Sequence, residues 1–252
     1  MKTTRGECIA VVSGKGGTGK TSFVSGVGAG LAQLGYRVLC LDCDVGLRNL
    51  DMSLGLSDRA MMDFSDVAQG RCPLSSAVVE HPDLPGLYLL TAPARSQGRP
   101  VTQSQMVPLL RAIRKNYDYC LVDAPAGLGS GFQLAICGVD RAVVVSTADT
   151  SSLRDAQHTV MELDRFPTGS LHLVVNRVRK KMLKNMHTTI DDCLDRAGLP
   201  LLGVVPEDDA LPLCLNQNVP LLLSGRRSPA AAAYQNIARR ITGERVRLLR
   251  IR

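Results

Sequence analysis

Short runs of apolar residues recur along the chain, separated by segments in which apolar positions repeat every three or four residues. Seven runs have the length of a strand: residues 8–13, 37–42, 87–90, 119–123, 142–146, 171–175 and 201–205. They are almost continuously apolar, which predicts strands covered on both faces. Such strands alternate with helical segments along the whole chain, which predicts an α/β fold with a mostly parallel central sheet flanked by helices on both faces.

One segment between two predicted strands carries a clear helix signal. Ser151 is predicted as the N-cap, because its hydroxyl can accept a hydrogen bond from a free N–H of the first turn. Leu153, Ala156, Val160 and Leu163 then recur at helical spacing and form one apolar stripe. We expect this stripe to be buried against the sheet.

The last helix is predicted to begin at Ser228 and Pro229, a capping residue followed by the residue favoured at the first helical position. It is predicted to end near Gly243. Arg239 and Arg240 fall in its last turn, where cations complement the negative end of the helix dipole.

The 252 residues are 45% hydrophobic and 21% charged, which is enough to bury one sizeable core. We therefore predict one domain over residues 1–243 and a short basic and aliphatic tail over residues 244–252. Residues 93–100 are expected to form a single surface loop. The sequence contains neither an apolar run of the roughly 18 residues that span a membrane nor a secretion signal. A cytoplasmic location is expected.

The eight cysteines lie in apolar surroundings and are expected to be buried reduced thiols. Cys40 and Cys43 form a C-x-x-C pair, but no second pair follows at zinc-binding spacing. The four histidines are isolated in the sequence, so no role is predicted for them.

A glycine-rich loop directly follows the first predicted strand and opens a helix, and it matches the phosphate-binding pattern G-x-x-x-x-G-K-[ST]. Glycines let backbone amides approach phosphate oxygens, and the N-terminus of the next helix adds positive potential. We predict that Lys20 reaches the β- and γ-phosphates of ATP and that Thr21 binds Mg²⁺. The predicted ATP-binding residues of this loop are Gly14, Lys15, Gly16, Gly17, Thr18, Gly19, Lys20, Thr21 and Ser22.

Three carboxylates end predicted strands next to this loop. Asp42 and Asp44 end the second strand, and side chains two apart on a strand share a face. We predict that Asp44 orients the attacking water and that Asp42 binds Mg²⁺ through a water, although two aspartates that cap a turn fit the pair alone equally well. Asp123 ends the fourth strand and is predicted as a further Mg²⁺ partner. Gly127 follows it and is expected to offer its amide to the γ-phosphate.

Lys15 is a second lysine inside the loop, and the resulting K-G-G-x-G-K-T resembles the deviant phosphate loop of the MinD/ParA class of ATPases. Residues 42–51, D-C-D-V-G-L-R-N-L-D, are similar to the first switch segment of MinD-type ATPases. Residues 123–127 are similar to their second switch, with Ala124 in place of the usual serine. Three further segments, at residues 151–155, 176–177 and 203–208, continue the resemblance. The chain is identified as a member of the MinD-type septum site-determining ATPases over roughly residues 8–225.

The resemblance implies an ATP-dependent homodimer in which Lys15 contacts the partner's nucleotide. Catalysis would then rest on Lys15, Lys20 and Asp44. The residues that it implies around the adenine are Asn176, Pro206, Glu207 and Asp208. The residues that it implies at the surface shared by the dimer and by regulators of the MinC and MinE type are Arg48, Asn49, Arg154 and Asp155. The last two lie off the apolar stripe of their helix and are expected at the surface, where a merely solvated face fits equally well.

The net charge of +7 arises entirely in residues 225–252, which carry eight arginines and one glutamate. A basic end on a neutral body suggests an anionic partner, either membrane lipid or nucleic acid. MinD-type proteins end in an amphipathic helix that inserts into the membrane, but here the aliphatic residues would spread around a helix only about 12 Å long. The predicted membrane-contacting residues are Arg245, Val246, Arg247, Leu248, Leu249, Arg250, Ile251 and Arg252.

Three functions therefore remain open. The first is a membrane-associated switch for division-site selection. The second is a ParA-like partition ATPase that binds DNA non-specifically. The third is a relative involved in flagellar placement or in metal-cluster assembly.

Overall fold

The computed structural model describes residues 5–46, 48–57, 59–93 and 100–249. The strands of this part of the chain form one eight-stranded sheet in the order β3-β4-β2-β5-β1-β6-β7-β8. All neighbouring strands are parallel except β3 and β4. The strands are β1 (Glu7–Val12), β2 (Val38–Asp42), β3 (Val79–Glu80), β4 (Leu87–Leu90), β5 (Tyr119–Asp123), β6 (Arg141–Ser146), β7 (Leu171–Val178) and β8 (Leu201–Pro206). The predicted α/β class with a mostly parallel sheet is confirmed.

Helices cover both faces of the sheet and create two apolar cores. Alternate residues of β1 point to opposite cores: Cys8 and Ala10 lie in one, and Ile9 and Val11 lie in the other. The helices are α1 (Lys20–Gln33), α2 (Leu50–Ser53), α3 (Phe64–Ala68), α4 (Leu74–Ala77), α5 (Gln103–Asn116), α6 (Ser130–Ile136), α7 (Thr150–Met161), α8 (Lys180–Asn185), α9 (Ile190–Ala197), α10 (Ala210–Asn216), a 3₁₀ turn (Leu221–Leu223) and α11 (Pro229–Ile241).

Each of the seven predicted strands corresponds to an observed strand, within three residues at either end. The additional strand, β3, has only two residues and pairs antiparallel with β4. Seven of the eight cysteines are buried and Cys72 is half-buried, as their apolar surroundings indicate. Residues 94–99 of the predicted surface loop lie outside the described residues. Among the helices that the structure describes, none is both long enough and apolar enough to cross a membrane.

The predicted N-cap of α7 is wrong by two residues. The cap is Asp149, whose carboxylate accepts the backbone N–H of Ser152, and the helix begins at Thr150 before Ser151 is reached. The carboxylate can reach this N–H three residues ahead, so the cap forms two residues earlier than the serine suggested. The apolar stripe is nevertheless on the buried face, with Leu153 in the core. At the other end of the chain, the predicted start of α11 is confirmed, because the Ser228 hydroxyl accepts the Ala231 N–H.

Close packing between α1 and α11 depends on glycine at one position of α1. A Cβ atom at Gly26 would lie 2.2 Å from Cδ2 of Tyr234 on α11. Tyr234 is fully buried, and its ring meets Phe23 edge-on with 6.2 Å between centroids. Glycine at position 26 therefore lets α11 lie directly against the helix that starts at the phosphate loop.

Replacing Gly26 tests this packing. We expect Gly26→Ala to lower the free energy of unfolding by about 2 kcal/mol, because overpacking a core costs up to about 3 kcal/mol and exceeds the roughly 1 kcal/mol that alanine gains in a helix. The control is Gly129→Ala, since nothing lies within 4 Å of a Cβ atom there. Denaturant unfolding measures both variants, and equal stabilities would contradict the packing described.

Candidate functional site

Residues 14–19 form the loop between β1 and α1 at the carboxyl end of the sheet. This loop lies between α7 and β7. A Cβ atom at Gly14 would lie 2.6 Å from the backbone oxygen of Asp155 on α7. Gly19 has a φ of 91° in the left-handed region, and a Cβ atom there would lie 2.3 Å from Nδ2 of Asn176. Both positions therefore require glycine, so the loop lies closely against both neighbours.

Lys20 is the buried cation of the site. Its Nζ donates to the Ser13 hydroxyl at 2.8 Å, and that hydroxyl donates to the Lys15 carbonyl at 2.7 Å. Burial lowers the pKa of Lys20, while the charges of Asp123 and Asp44 act in the opposite direction. Lys20 is thus fixed at the base of the loop, where an ammonium group would meet the phosphates.

Two buried carboxylates lie beside each other next to this lysine. Asp42 and Asp123 are register partners at the ends of β2 and β5, and each is 1% exposed. Burial raises the pKa of Asp123 to about 8, and the charge of Asp42 contributes to the rise. Burial likewise raises the pKa of Asp42 to about 6. Negative charge is therefore concentrated here beyond what the single buried lysine compensates.

Two oxygens at this point fit a Mg²⁺ ion. The Thr21 hydroxyl donates to Asp123 Oδ2 at 2.7 Å. Asp123 Oδ1 is buried and has no hydrogen-bond partner among the described residues. Hydroxyl and carboxylate oxygens are the donors that Mg²⁺ prefers, and it commonly retains several waters. Thr21 and Asp123 are therefore the residues best placed to hold the ion.

Asp42 and Asp44 do not share a strand face, because β2 ends at Asp42. The Asp42 carboxylate accepts the Asp44 N–H at 2.8 Å and the Leu50 N–H at 3.4 Å, so it stabilises the turn that follows the strand. Asp42 therefore caps a turn, which is the alternative that the sequence left open for this pair of aspartates. Asp44 is half-buried, and although burial raises its pKa, the charge of Lys20 counteracts the rise. The Asp44 carboxylate thus interacts electrostatically with Lys20, the lysine beneath the phosphate loop.

Lys15 is held at the outer side of the loop. Its Nζ lies 3.4 Å from Asp149 Oδ1, with 36% of the Lys15 side chain exposed. Asp149 also accepts hydrogen bonds from the hydroxyls of Thr147 and Ser152. Burial raises the pKa of Asp149, but these hydrogen bonds and the Lys15 charge outweigh it, and the pKa lies well below its usual value. Asp149 is therefore a firmly ionised partner for Lys15.

The residues implied around the adenine lie together beside α1. Asn176 Nδ2 donates to the Thr18 carbonyl at 2.7 Å, and this ties β7 to the loop. The Asp208 carboxylate accepts the Ser228 hydroxyl and the Ala210 and Ala230 N–H groups, so its oxygens position two helices. A cavity of about 240 Å³ is lined by residues that include Gly19, Ser22, Asn176, Pro206, Glu207 and Asp208.

Some residues of this site were not singled out from the sequence. Ser13 holds Lys20, and Asp149 holds Lys15. Arg177 donates to the Gly17 carbonyl at 3.1 Å and pairs with Glu207 at 3.0 Å, so it links the loop to the cavity wall. Ser13, directly before the loop, and Arg177, in the segment 176–177 that resembles the family, have positions in the sequence that could have identified them, whereas Asp149 does not.

The residues expected at a partner surface differ in exposure. Arg154 and Asn49 are exposed. Asp155 is only half-exposed, contrary to expectation, because α7 approaches the loop at Gly14. Arg48 has a φ of 42° and lies 3.4 Å from Asp51, and its Nε is buried without a partner among the described residues. Arg48 is therefore turned partly inward.

The second switch segment follows β5 and lies next to the phosphate loop. A Cβ atom at Gly16 would lie 3.8 Å from the Cβ of Ala126. Gly127 is half-buried and has a φ of 83°, a conformation that disfavours other residues. The segment therefore turns beside the phosphate loop, and the predicted contact of the Gly127 amide with the γ-phosphate stays a prediction.

A glycine loop between a parallel strand and a helix, with a buried lysine beneath it and a threonine–aspartate pair beside it, defines a P-loop nucleotide-binding protein. The family described as CbiA: CobQ/CobB/MinD/ParA nucleotide binding domain matches residues 9–221. The septum site-determining protein MinD of Bacillus subtilis is 39% identical over 246 residues, which cover 96% of this chain and 91% of that protein. The chain belongs to the MinD family of septum site-determining ATPases.

Solved structures agree with this assignment. MinD in the MinC:MinD cell division complex of Aquifex aeolicus has a TM-score of 0.89 and 36% identity, covering 97% of this chain and 99% of that chain. MinD of Pyrococcus horikoshii, complexed with Mg-ADP, has a TM-score of 0.81 and 25% identity, covering 93% of this chain and 95% of that chain.

The raised pKa of Asp123 predicts a pH-dependent effect on stability. The pKa of about 8 in the folded protein exceeds the ordinary 3.8, so the folded state binds the proton more tightly and loses stability as pH rises between these values. Asp42, Asp44 and Lys20 face the same carboxyl group. In the absence of nucleotide and Mg²⁺, we expect Asp123→Asn to raise the unfolding temperature at pH 8 by more than about 3 °C relative to the wild type. This difference in unfolding temperature should shrink towards pH 4.

Thermal unfolding in a chelator at several pH values measures this gap. Exposed Asp164 provides the control variant Asp164→Asn, for which little change is expected. A wild-type protein more stable than Asp123→Asn at pH 8 would contradict the charge balance described.

Proposed function

We propose that this chain is an ATP-driven dimerising switch that helps to position the division site through nucleotide-controlled membrane association and regulator binding. The observation that carries the proposal is the separation of two lysines within one loop. Lys20 is buried beneath the loop, whereas Lys15 is held by Asp149 at its outer side. A lysine held there is available to a nucleotide outside its own subunit.

The cavities on the two sides of the loop support a face-to-face arrangement. The adenine-side cavity borders Gly19, whereas a second, open cavity of about 410 Å³ borders Lys15, Gly16 and Asp149. In the proposed dimer this second cavity faces the partner. Lys15 would exchange Asp149 for the partner's phosphates, and hydrolysis would remove the anion that holds the two subunits together.

Catalysis in this arrangement is electrostatic and positional. Lys20 and the partner's equivalent of Lys15 offset phosphate charge, and Asp44 orients the attacking water. Thr21 and Asp123 would hold Mg²⁺, with Asp42 behind them, and the ion would supply further positive charge beside the phosphates. The Mg-ADP in the Pyrococcus horikoshii relative supports the same cofactors for this chain.

Two kinds of partner complete the proposal. The MinC:MinD complex of Aquifex aeolicus supports a MinC-type regulator. Arg154, exposed on α7, is its proposed contact. We further propose a MinE-type regulator and an anionic membrane as partners, which the resemblance to MinD-type proteins implies. The domain would span residues 1–243, with the basic tail at residues 244–252 as the membrane contact, on a cytoplasmic protein that attaches peripherally when it is bound to ATP.

Dimerisation should depend on Lys15. We expect Lys15→Ala to reduce the ATP-bound dimer to the level seen with ADP, while monomer binding of nucleotide stays within about threefold, because Lys20 and the loop are intact. Light scattering after size exclusion and a fluorescent nucleotide titration measure the two properties. Exposed Lys115 supplies the charge-matched control, Lys115→Ala. An undiminished ATP dimer of Lys15→Ala would refute the cross-subunit role.

Membrane association should depend on the tail. We expect ATP-dependent co-sedimentation with vesicles rich in phosphatidylglycerol and loss of most of it when residues 244–252 are deleted, since each arginine near an anionic surface contributes about 1 kcal/mol. Neutral vesicles should bind little. Equal sedimentation with ADP and ATP would argue against the switch. Salt-sensitive retention on non-specific DNA with ATP, in place of vesicle binding, would favour the partition function.

A further inference from the structure

The segment that follows α11 folds back onto the body of the protein. Residues 244–249 form neither helix nor strand, and the described part of this segment lies along α11 and β8, the edge strand of the sheet. Three of the predicted membrane-contacting residues, Arg250, Ile251 and Arg252, lie outside the described residues. The other five can be compared with the surface that they touch.

One arginine connects this segment to the sheet edge. Arg240 Nε donates to the Val246 carbonyl at 3.0 Å, and Nη2 donates to the same carbonyl. Arg240 Nη1 donates to the Leu202 carbonyl on β8 at 2.8 Å. Hydrogen bonds from a charged guanidinium are stronger than those between neutral groups, and its planar fork fixes both carbonyls in one geometry.

The preceding arginine behaves differently. Arg239 pairs with Glu244 at 2.8 Å, with 46% of each side chain exposed. A pair this exposed to water contributes little to stability. Both arginines lie in the last turn of α11, as predicted, but the Arg240 guanidinium is in addition directed to the carbonyls of Val246 and Leu202.

The apolar side chains of the segment are divided between the body and the solvent. Leu249 packs against the core between α1, α11 and the sheet, and Val246 is half-buried. Leu248 is 46% exposed. Part of the apolar surface of the segment is therefore buried against the body of the protein. An amphipathic contact with lipid would require that surface to be exposed.

We propose that Arg240 is a latch that holds residues 246–249 against β8 and α11 and keeps Val246 and Leu249 from a lipid surface until it opens. Opening breaks the bonds to both carbonyls and frees the Arg240 guanidinium to join the arginines of the tail. The latch itself rests on these contacts alone. Its consequence for membranes rests on the proposed function.

Limited proteolysis of the full chain tests the latch without lipid. Trypsin binds its substrate as an extended segment, so release of this segment should speed cleavage after Arg245 and Arg247, and the increase reports the population of the open state. We expect Arg240→Gln to speed this cleavage about fivefold or more, as followed by mass spectrometry. Arg239→Gln makes the same charge change on the same turn and should leave the rate near that of the wild type. Equal rates for the two variants would overturn the latch.

A second pair of variants tests docking of the segment independently, in case Arg240→Gln loses folding in general. Leu249→Ala removes a packed side chain and should speed the same cleavage, whereas Leu248→Ala removes an exposed one and should not. The far-ultraviolet circular dichroism of all four variants should match that of the wild type. Cleavage unaffected by Leu249→Ala would contradict docking of the segment.

Vesicle binding separates the latch from the proposed membrane function. With ADP and phosphatidylglycerol vesicles, we expect Arg240→Gln to sediment several-fold more than the wild type and Arg239→Gln to match it. Suppose that the wild type binds vesicles with ATP and that Arg240→Gln is cleaved faster but sediments no more than the wild type with ADP. This result would overturn the proposal that the latch keeps the tail from the membrane. Faster cleavage in a protein that binds no vesicles with either nucleotide would support the latch and refute the membrane function.

Discussion

The concentration of buried charge at the carboxyl ends of β1, β2 and β5 is the constraint on which the rest of the structure depends. One lysine, Lys20, interacts with the charges of Asp123 and Asp44, and burial raises the pKa of Asp123 and of its register partner Asp42. An unpaired buried charge is costly, so the excess negative charge of these carboxylates calls for a further cation to balance it. The parallel sheet makes the cluster possible, because it brings the carboxyl ends of distant chain segments to one edge.

Contacts around this charged cluster position the phosphate loop and the helices that line the nucleotide cavity. Gly14 and Gly19 let the loop lie against α7 and Asn176, and Gly26 lets α11 hold α1 in place. The Asp208 carboxylate joins the starts of α10 and α11 to the wall of the cavity. The helix that carries Arg240 is therefore anchored at one end to the nucleotide cavity and at the other to the tail.

The strands and the phosphate loop could be predicted because their signals are local. A continuous apolar run reports burial on both faces, and the glycine pattern reports the loop. β3 could not be predicted, since two residues carry no pattern and its pairing depends on β4. The contacts of Lys15 with Asp149, and of Arg240 with Val246 and Leu202, also had no local signal. They arise where separate elements meet, and Asp149 lies 134 positions from Lys15.

The central claim is that the two lysines of one loop serve two different nucleotides. A crystal structure of the protein with Mg²⁺ and a non-hydrolysable ATP analogue tests it most directly. The arrangement predicts two subunits face to face, with each Lys15 Nζ about 3 Å from a phosphate oxygen of the partner's nucleotide and no longer at Asp149. A nucleotide-filled subunit in which Lys15 still pairs with its own Asp149, with no neighbouring nucleotide in reach, would contradict it.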